Sequence, residues 1–181
     1  MKNQKKIGAV IAVIALLGIA TWVVRLNTEP TGGPSSSGTR KPAPLFELKD
    51  FSGKMHRLEE FKGQPMVVHF WASWCPPCLN EISEWIEFTK KLQGKPIGFV
   101  AISLDKSWDD AQKILNDQQL PPNVISLLDV EGKVADQYGS YQYPETYILN
   151  SKHEIFVKLV GPQKWSMPEF SDRLVEILLK K

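Results

Sequence analysis

Hydrophobic positions are spread unevenly along this chain. From Ile7 to Val24 the residues are uncharged and mostly apolar, with Lys2, Lys5 and Lys6 just before them. As a helix that run is roughly 27 Å long, close to the hydrocarbon thickness of a bilayer. Asn27 to Pro44 then carries Pro, Gly and Ser with no apolar period. Such a composition buries too little surface to offset its ordering entropy and reads as a flexible tether. Beyond Leu45 the pattern becomes that of a folded domain.

Within that domain the periods alternate. Leu45 to Leu58 holds two short strand-like stretches about the turn Ser52-Gly53-Lys54. Met66 to Ala72 is a continuous apolar strand that follows Gly63-Gln64-Pro65. Pro76 to Leu92 has apolar residues at helical spacing (Leu79, Ile82, Trp85, Ile86, Phe88), prolines in its first turn and Gly94 beyond its end. Next come a strand at Ile97–Leu104, a helix at Trp108–Gln119, a break at Pro121-Pro122 and a strand at Val124–Leu128. A short helix at Glu131–Tyr138 is closed by Gly139. Thr146–Leu149 and Ile155–Val160 read as a strand pair, and Pro168–Leu179 as a closing amphipathic helix. This order predicts an α/β protein, a mixed sheet flanked by helices. No internal repeat is present. The expected division is 1–26 as an N-terminal segment, 27–44 as a linker and 45–181 as the domain.

Charge orients the first segment. Lysines before an apolar run stay inside, so the domain lies outside the membrane. Trp22 suits an interfacial anchor. Gly18 and Ala20 offer a small-x-small site, so a cleaved signal peptide competes with a retained single-pass anchor; apolar residues continuing to Val24 favour the anchor. The domain is therefore expected on the extracytoplasmic side, held at the cytoplasmic membrane or secreted after cleavage. Either way it meets an oxidising compartment.

Composition removes other classes. The chain has 181 residues, 43% hydrophobic and 23% charged, ordinary for one globular domain with additions. Its net charge of +2 comes with no basic run interleaved with aromatics, which argues against nucleic acid as a partner. A structural zinc site takes four ligands, whereas the two cysteines stand alone and His56, His69 and His153 form no paired motif. No metal and no separate cofactor are expected.

The chemistry centres on Trp71-Ala72-Ser73-Trp74-Cys75-Pro76-Pro77-Cys78. A buried strand ends and a Cys-x-x-Cys opens the next helix. Free N–H groups and the macrodipole at a helix start favour negative charge, which raises the thiolate fraction of the first cysteine. Cys75 is thus expected as the exposed attacking thiol, and Cys78, one turn in, as the buried resolving thiol. A purely structural bridge is the bland reading. Closing so short a loop gives only about 2 kcal/mol in the chain-entropy model, so stability is a poor reason for it.

Phe70-Trp-Ala-Ser-Trp-Cys-Pro-Pro-Cys78 resembles the active site of the TlpA/ResA/CcmG (DsbE) group of thioredoxin-like proteins, and the resemblance runs from about Leu45 to the C-terminus. Tyr143-Pro144-Glu145-Thr146-Tyr147-Ile148-Leu149 is similar to the group's cis-proline segment, its Pro-Glu-Thr form most like the CcmG branch. The resemblance implies a thioredoxin-like fold with an N-terminal strand extension. It also implies a membrane-anchored protein disulfide reductase, several relatives of which serve cytochrome c maturation. Pro144 is then cis and lies against Cys75, and the Tyr143 backbone receives an extended substrate.

Other positions carry two readings each. Glu145 departs from plain thioredoxin: as a carboxylate near Cys75 it opposes thiolate formation and can relay protons, or it is a solvated strand-edge charge. His69 stands where thioredoxin has aspartate and relatives often have asparagine; it is an internal proton acceptor for Cys78 or a neutral, hydrogen-bonded core histidine. Trp74 is an apolar lid on the disulfide or a half-packed aromatic, and Trp71 belongs in the core. Pro76 and Thr146 complete the expected substrate-contacting set with Trp74 and Tyr143. His153, where relatives carry glycine, is a turn residue or a minor metal ligand. Gly161-Pro162 reads as a close backbone approach.

The expected function is reduction of protein disulfides, with apocytochrome c or its carriers as substrate and a membrane thiol donor of DsbD/CcdA type restoring the dithiol. A DsbA-type oxidase, a copper metallochaperone using the cysteines with His153, and a thiol peroxidase are the competitors. The last needs a Thr-x-x-Cys site that Ser73-Trp74-Cys75 does not supply.

Overall fold

A computed structural model describes residues 40–115 and 120–180. Seven strands form one sheet: β1 (Glu47–Lys49), β2 (Met55–Arg57), β3 (Met66–Trp71), β4 (Gly98–Ser103), β5 (Val124–Leu128), β6 (Glu145–Leu149) and β7 (Ile155–Val160). Their order is β2-β1-β5-β4-β3-β6-β7. β3, β4 and β5 run parallel, while β1–β2, β1–β5, β3–β6 and β6–β7 pair antiparallel. Among the described residues four α-helices accompany them, α1 (Pro76–Lys91), α2 (Trp108–Leu115), α3 (Lys133–Tyr138) and α4 (Pro168–Lys180), with a 3-10 turn at Leu58–Phe61.

All six residues of β3 are buried because both faces of this central strand are covered, which is why it reads as a continuous apolar run. On one face His69 packs among Trp85 and Trp165, and Trp85 stacks on Phe99 with ring centroids 5.3 Å apart. On the other, Phe70 meets Tyr138 of α3 and Tyr147 of β6. The loop after β3 opens at the carboxyl end of the parallel strands, where open α/β sheets carry their chemistry.

The predicted mixed sheet is present, and the elements depart from expectation mainly at their ends. Leu79 leaves the buried stripe of α1 and is 38% exposed. Arg40 to Pro44, expected in the linker, belong to the folded unit. Pro42 bridges Glu154, Ile155 N–H donates to Lys41 O at 2.8 Å, and Ala43 N–H donates to His153 O at 2.8 Å. Edge-strand pairing after Glu154 draws this segment in; its own composition has no sign of that. α2 is described as far as Leu115, and the rest of its predicted extent lies outside the described residues. The expected anchor and most of the expected linker also lie outside them. No helix among the described residues is long and apolar enough to cross a membrane.

Candidate active site

Cys75 is the N-cap of α1, with φ −104° and ψ 100°, and Pro76 and Pro77 occupy the first helical positions, where a missing N–H leaves nothing unpaired. The helix therefore begins at the nucleophile itself. Cys75 and Cys78 are joined as a disulfide with Cα atoms 5.3 Å apart. Cys78 N–H donates to Cys75 Sγ at 3.3 Å, a bond that also stabilises a thiolate there. Cys75 is not the open thiol anticipated. It is 5% exposed in the disulfide form, against 0% for Cys78, because the segment leading into β6, with Tyr143 and Pro144, comes up against it. Its sulfur lies 3.6 Å from Tyr143 O. The order of access is nonetheless the one expected.

The Tyr143–Pro144 peptide is cis. Pro144 is buried and its carbonyl accepts from Gly161 N–H at 2.8 Å. Gly161 adopts φ +79°, with nothing within 4 Å of an added Cβ. Left-handed backbone, not the expected close approach, is what calls for glycine there. Trp74 is 61% exposed and meets the Tyr143 ring edge-on at 6.0 Å, so the two aromatics flank the cysteine together. Pro76 is exposed beside them.

One expected role fails on direction, and one alternative reading is removed by burial. Thr146 is 1% exposed and holds His69 Nδ1 at 2.9 Å, so it faces the core and not a substrate. Glu145 is 2% exposed, and its Oε2 pairs with Lys158 Nζ at 3.1 Å and accepts from Tyr147 Oη at 3.4 Å. It is therefore no solvated edge charge, and its negative charge is compensated beside the cis-proline. Alternation along β6 puts Glu145 and Thr146 on opposite faces of the sheet. His153 adopts φ +57° in the β6–β7 turn and its Nε2 contacts Phe61 O at 3.1 Å. The register Met66–Leu149 and Phe70–Glu145 puts that turn at the far end of β3 from the cysteines, which separates it from any metal chemistry there.

Behind the disulfide lies a group the sequence reading missed. Glu81 is 3% exposed on the α1 face that also carries Cys78, one turn away. Gln163 N–H and Trp165 Nε1–H donate to its Oε2 at 2.7 and 2.8 Å. Burial pushes its carboxyl up to about 7. The signal was available: Glu81 falls in the apolar stripe of Cys78, Ile82 and Trp85. His69 is wholly buried, and burial pushes it down to about 3, so it stays neutral near physiological pH. Asp105 was missed as well, at 1% exposure.

A Cys-x-x-Cys disulfide at a strand-to-helix turn, set against a cis-proline on a mixed sheet covered on both faces, defines a thioredoxin-fold dithiol protein. The chain belongs to the AhpC/TSA family, whose profile matches residues 39–157. It is 32% identical over 134 residues to the thiol:disulfide interchange protein DsbE of Allochromatium vinosum, covering 70% of each chain. It is 24% identical over 171 residues to the thiol-disulfide oxidoreductase ResA of Bacillus subtilis, covering 92% of each. The crystal structure of a thioredoxin-family thiol:disulfide interchange protein from Chlorobium tepidum superposes with a TM-score of 0.66 over 80% of this chain and 99% of that one, at 23% identity, which supports the fold. The chain is accordingly a thiol–disulfide oxidoreductase of the DsbE/ResA type, as the resemblance implied.

Proposed function

We propose that this chain is an extracytoplasmic protein disulfide reductase, anchored by its N-terminal apolar run. The observation that carries the mechanism is the asymmetry of the pair: Cys75 caps the helix and alone keeps solvent access, while Cys78 is sealed one turn behind. The Cys75 thiolate, held by Cys78 N–H and the helix dipole, attacks one sulfur of a substrate disulfide. The substrate's other sulfur leaves with the electron pair and takes a proton from solvent. Cys78 then attacks Cys75 Sγ, the mixed disulfide breaks, and the second substrate sulfur leaves reduced. Glu81, on the same helical face as Cys78, takes the Cys78 proton. Trp74, Tyr143 and Pro76 receive an extended peptide, the Tyr143 backbone pairing with it in strand fashion.

The dithiol is its own redox centre, so the reaction takes no further cofactor. Oxidised protein thiol pairs are the substrate class, supported by relatives named interchange proteins and oxidoreductases. Apocytochrome c is the candidate substrate, and a membrane thiol donor of DsbD/CcdA type the candidate electron source. A Cys78→Ser protein mixed with an oxidised substrate should accumulate a stable mixed disulfide through Cys75; absence of that adduct rejects the mechanism. The Cys75–Cys78 reduction potential should lie nearer about −270 mV than about −120 mV, the latter being the oxidase end of the range.

A further inference from the structure

His69 Nε2 and Glu81 Oε1 are 3.5 Å apart in the buried centre of the domain, and neither has a hydrogen-bond partner. Every other polar atom of the two side chains is engaged. His69 Nδ1 contacts Thr146 Oγ1, and Glu81 Oε2 accepts from Gln163 and Trp165. Two unpaired buried atoms that face each other are complementary in only some protonation states. A carboxylate opposite a bare ring nitrogen leaves both unsatisfied. A protonated Oε1 opposite the Nε2 lone pair satisfies both after a contraction of about 0.5–0.8 Å. His69 presents that lone pair in the tautomer whose Nδ1–H donates to Thr146 Oγ1, 2.9 Å away.

We propose that His69 Nε2 is the acceptor for the proton that Glu81 takes from Cys78, so that the two buried side chains form one proton-holding pair behind the disulfide. His69 is a positioning residue here: it touches neither substrate nor the reacting sulfurs. In the resolving step the Cys78 S–H bond breaks and the proton passes to Glu81. The Cys75–Cys78 bond forms, and the electron pair of the mixed disulfide leaves on the substrate sulfur. The new Glu81 Oε1–H then finds His69 Nε2 as its acceptor. On return to the dithiol the proton travels back from Glu81 to Cys78.

The surroundings support a shared proton. His69 is enclosed by Trp85, Phe99 and Trp165, with ring centroids 5.9, 6.2 and 5.9 Å away, and Thr146 closes its other side. Burial keeps the imidazole neutral and the carboxyl readily protonated, the two conditions that an O–H···N bond requires. The charged group bearing on Glu81 is Glu84 of the same helix, whose negative charge also favours the protonated form. Gln163 and Trp165 act oppositely by donating to Oε2.

This inference rests on the reductase reading with Glu81 as base, and the test separates the two. In the full chain, infrared spectroscopy follows the Glu81 carboxylic C=O band, assigned by its loss in Glu81→Gln, as pH is varied. Nitrogen-15 NMR follows His69 Nε2 over the same range. We expect both signals to move at one midpoint. In His69→Phe the carboxyl midpoint should fall by about one pH unit, the loss of one buried hydrogen bond to the neutral acid. The release step, read as decay of the mixed disulfide, should slow several-fold near neutral pH. His69→Asn, which keeps an acceptor oxygen, should fall between. An Nε2 signal indifferent to the carboxyl titration, or an unchanged midpoint in a folded His69 variant, overturns the pair. That result leaves the reductase reading intact, which fails separately if Cys78→Ser traps no adduct.

Discussion

Asp105 receives both the backbone N–H and the hydroxyl of Ser73, two residues ahead of the nucleophile, at 3.1–3.2 and 2.7 Å. Ser103 Oγ–H donates to the same carboxylate at 2.7 Å. The end of β4 is thereby tied to the turn that presents Trp74 and Cys75. Asp105→Ala leaves these donors without their acceptor in a nearly closed site, and should lower stability by about 2–3 kcal/mol. Urea unfolding of the oxidised protein reads that loss. Stopped-flow reaction of Cys75 with a small disulfide should slow several-fold as the turn loosens, and Asp105→Asn should keep part of both.

Lys158 and Glu145 make a second such pair, one member buried and the other 35% exposed. Lys158→Met strands a buried carboxylate and should cost about 2 kcal/mol or more. The double variant Lys158→Met, Glu145→Gln should recover most of that. A double-mutant cycle in urea checks it, and strictly additive losses reject the coupling.

The two core groups of the proposed proton pair pull stability in opposite directions with pH. Glu81 is raised from 4.5 to about 7 on folding, so its contribution is full below pH 4.5 and is lost as pH rises through about 7. His69 is lowered from 6.5 to about 3, so its contribution is full above pH 6.5 and is lost as pH falls through about 3. Each limb has a slope of about 1.4 kcal/mol per pH unit. Between pH 4.5 and 6.5 they cancel, and the oxidised protein should be nearly flat there. Glu81→Gln should uncover the rising limb, and His69→Phe the falling one. Urea midpoints across pH 4 to 8 separate the cases.

Gly161, just beyond β7, ties the chain to the cis-proline. Its φ of +79° is strained for any side chain, and its N–H holds Pro144 O. Gly161→Ala should cost about 1 kcal/mol and slow attack at Cys75 more than a surface alanine of equal cost does. Thermal unfolding alongside the small-disulfide assay distinguishes the two.

Much of this protein was legible as a string. The helix that starts at Cys75 follows from the two prolines after it, since their missing N–H groups and fixed φ suit only a first turn. The buried β3 follows from its unbroken apolar run. The cis-proline was reached through the paired resemblance of Trp71–Cys78 and Tyr143–Leu149, not through either stretch alone. These features are local, or lie within two short segments, and local chemistry is what periodicity and turn residues report.

Tertiary structure decided which polar residues face which way. Thr146 was expected to meet substrate and instead holds His69, because strand alternation sets it on the inner face. Glu145 was expected to act on Cys75 by its charge, and Lys158, thirteen residues later, compensates it across β6 and β7. The linker's last residues were folded in by an edge strand more than a hundred residues away. Burial, and with it the protonation of Glu81 and His69, depends on contacts distant in the chain. The sequence alone therefore determined where the thiols and their helix stand, and only packing decided which carboxylate and which imidazole share the space behind them.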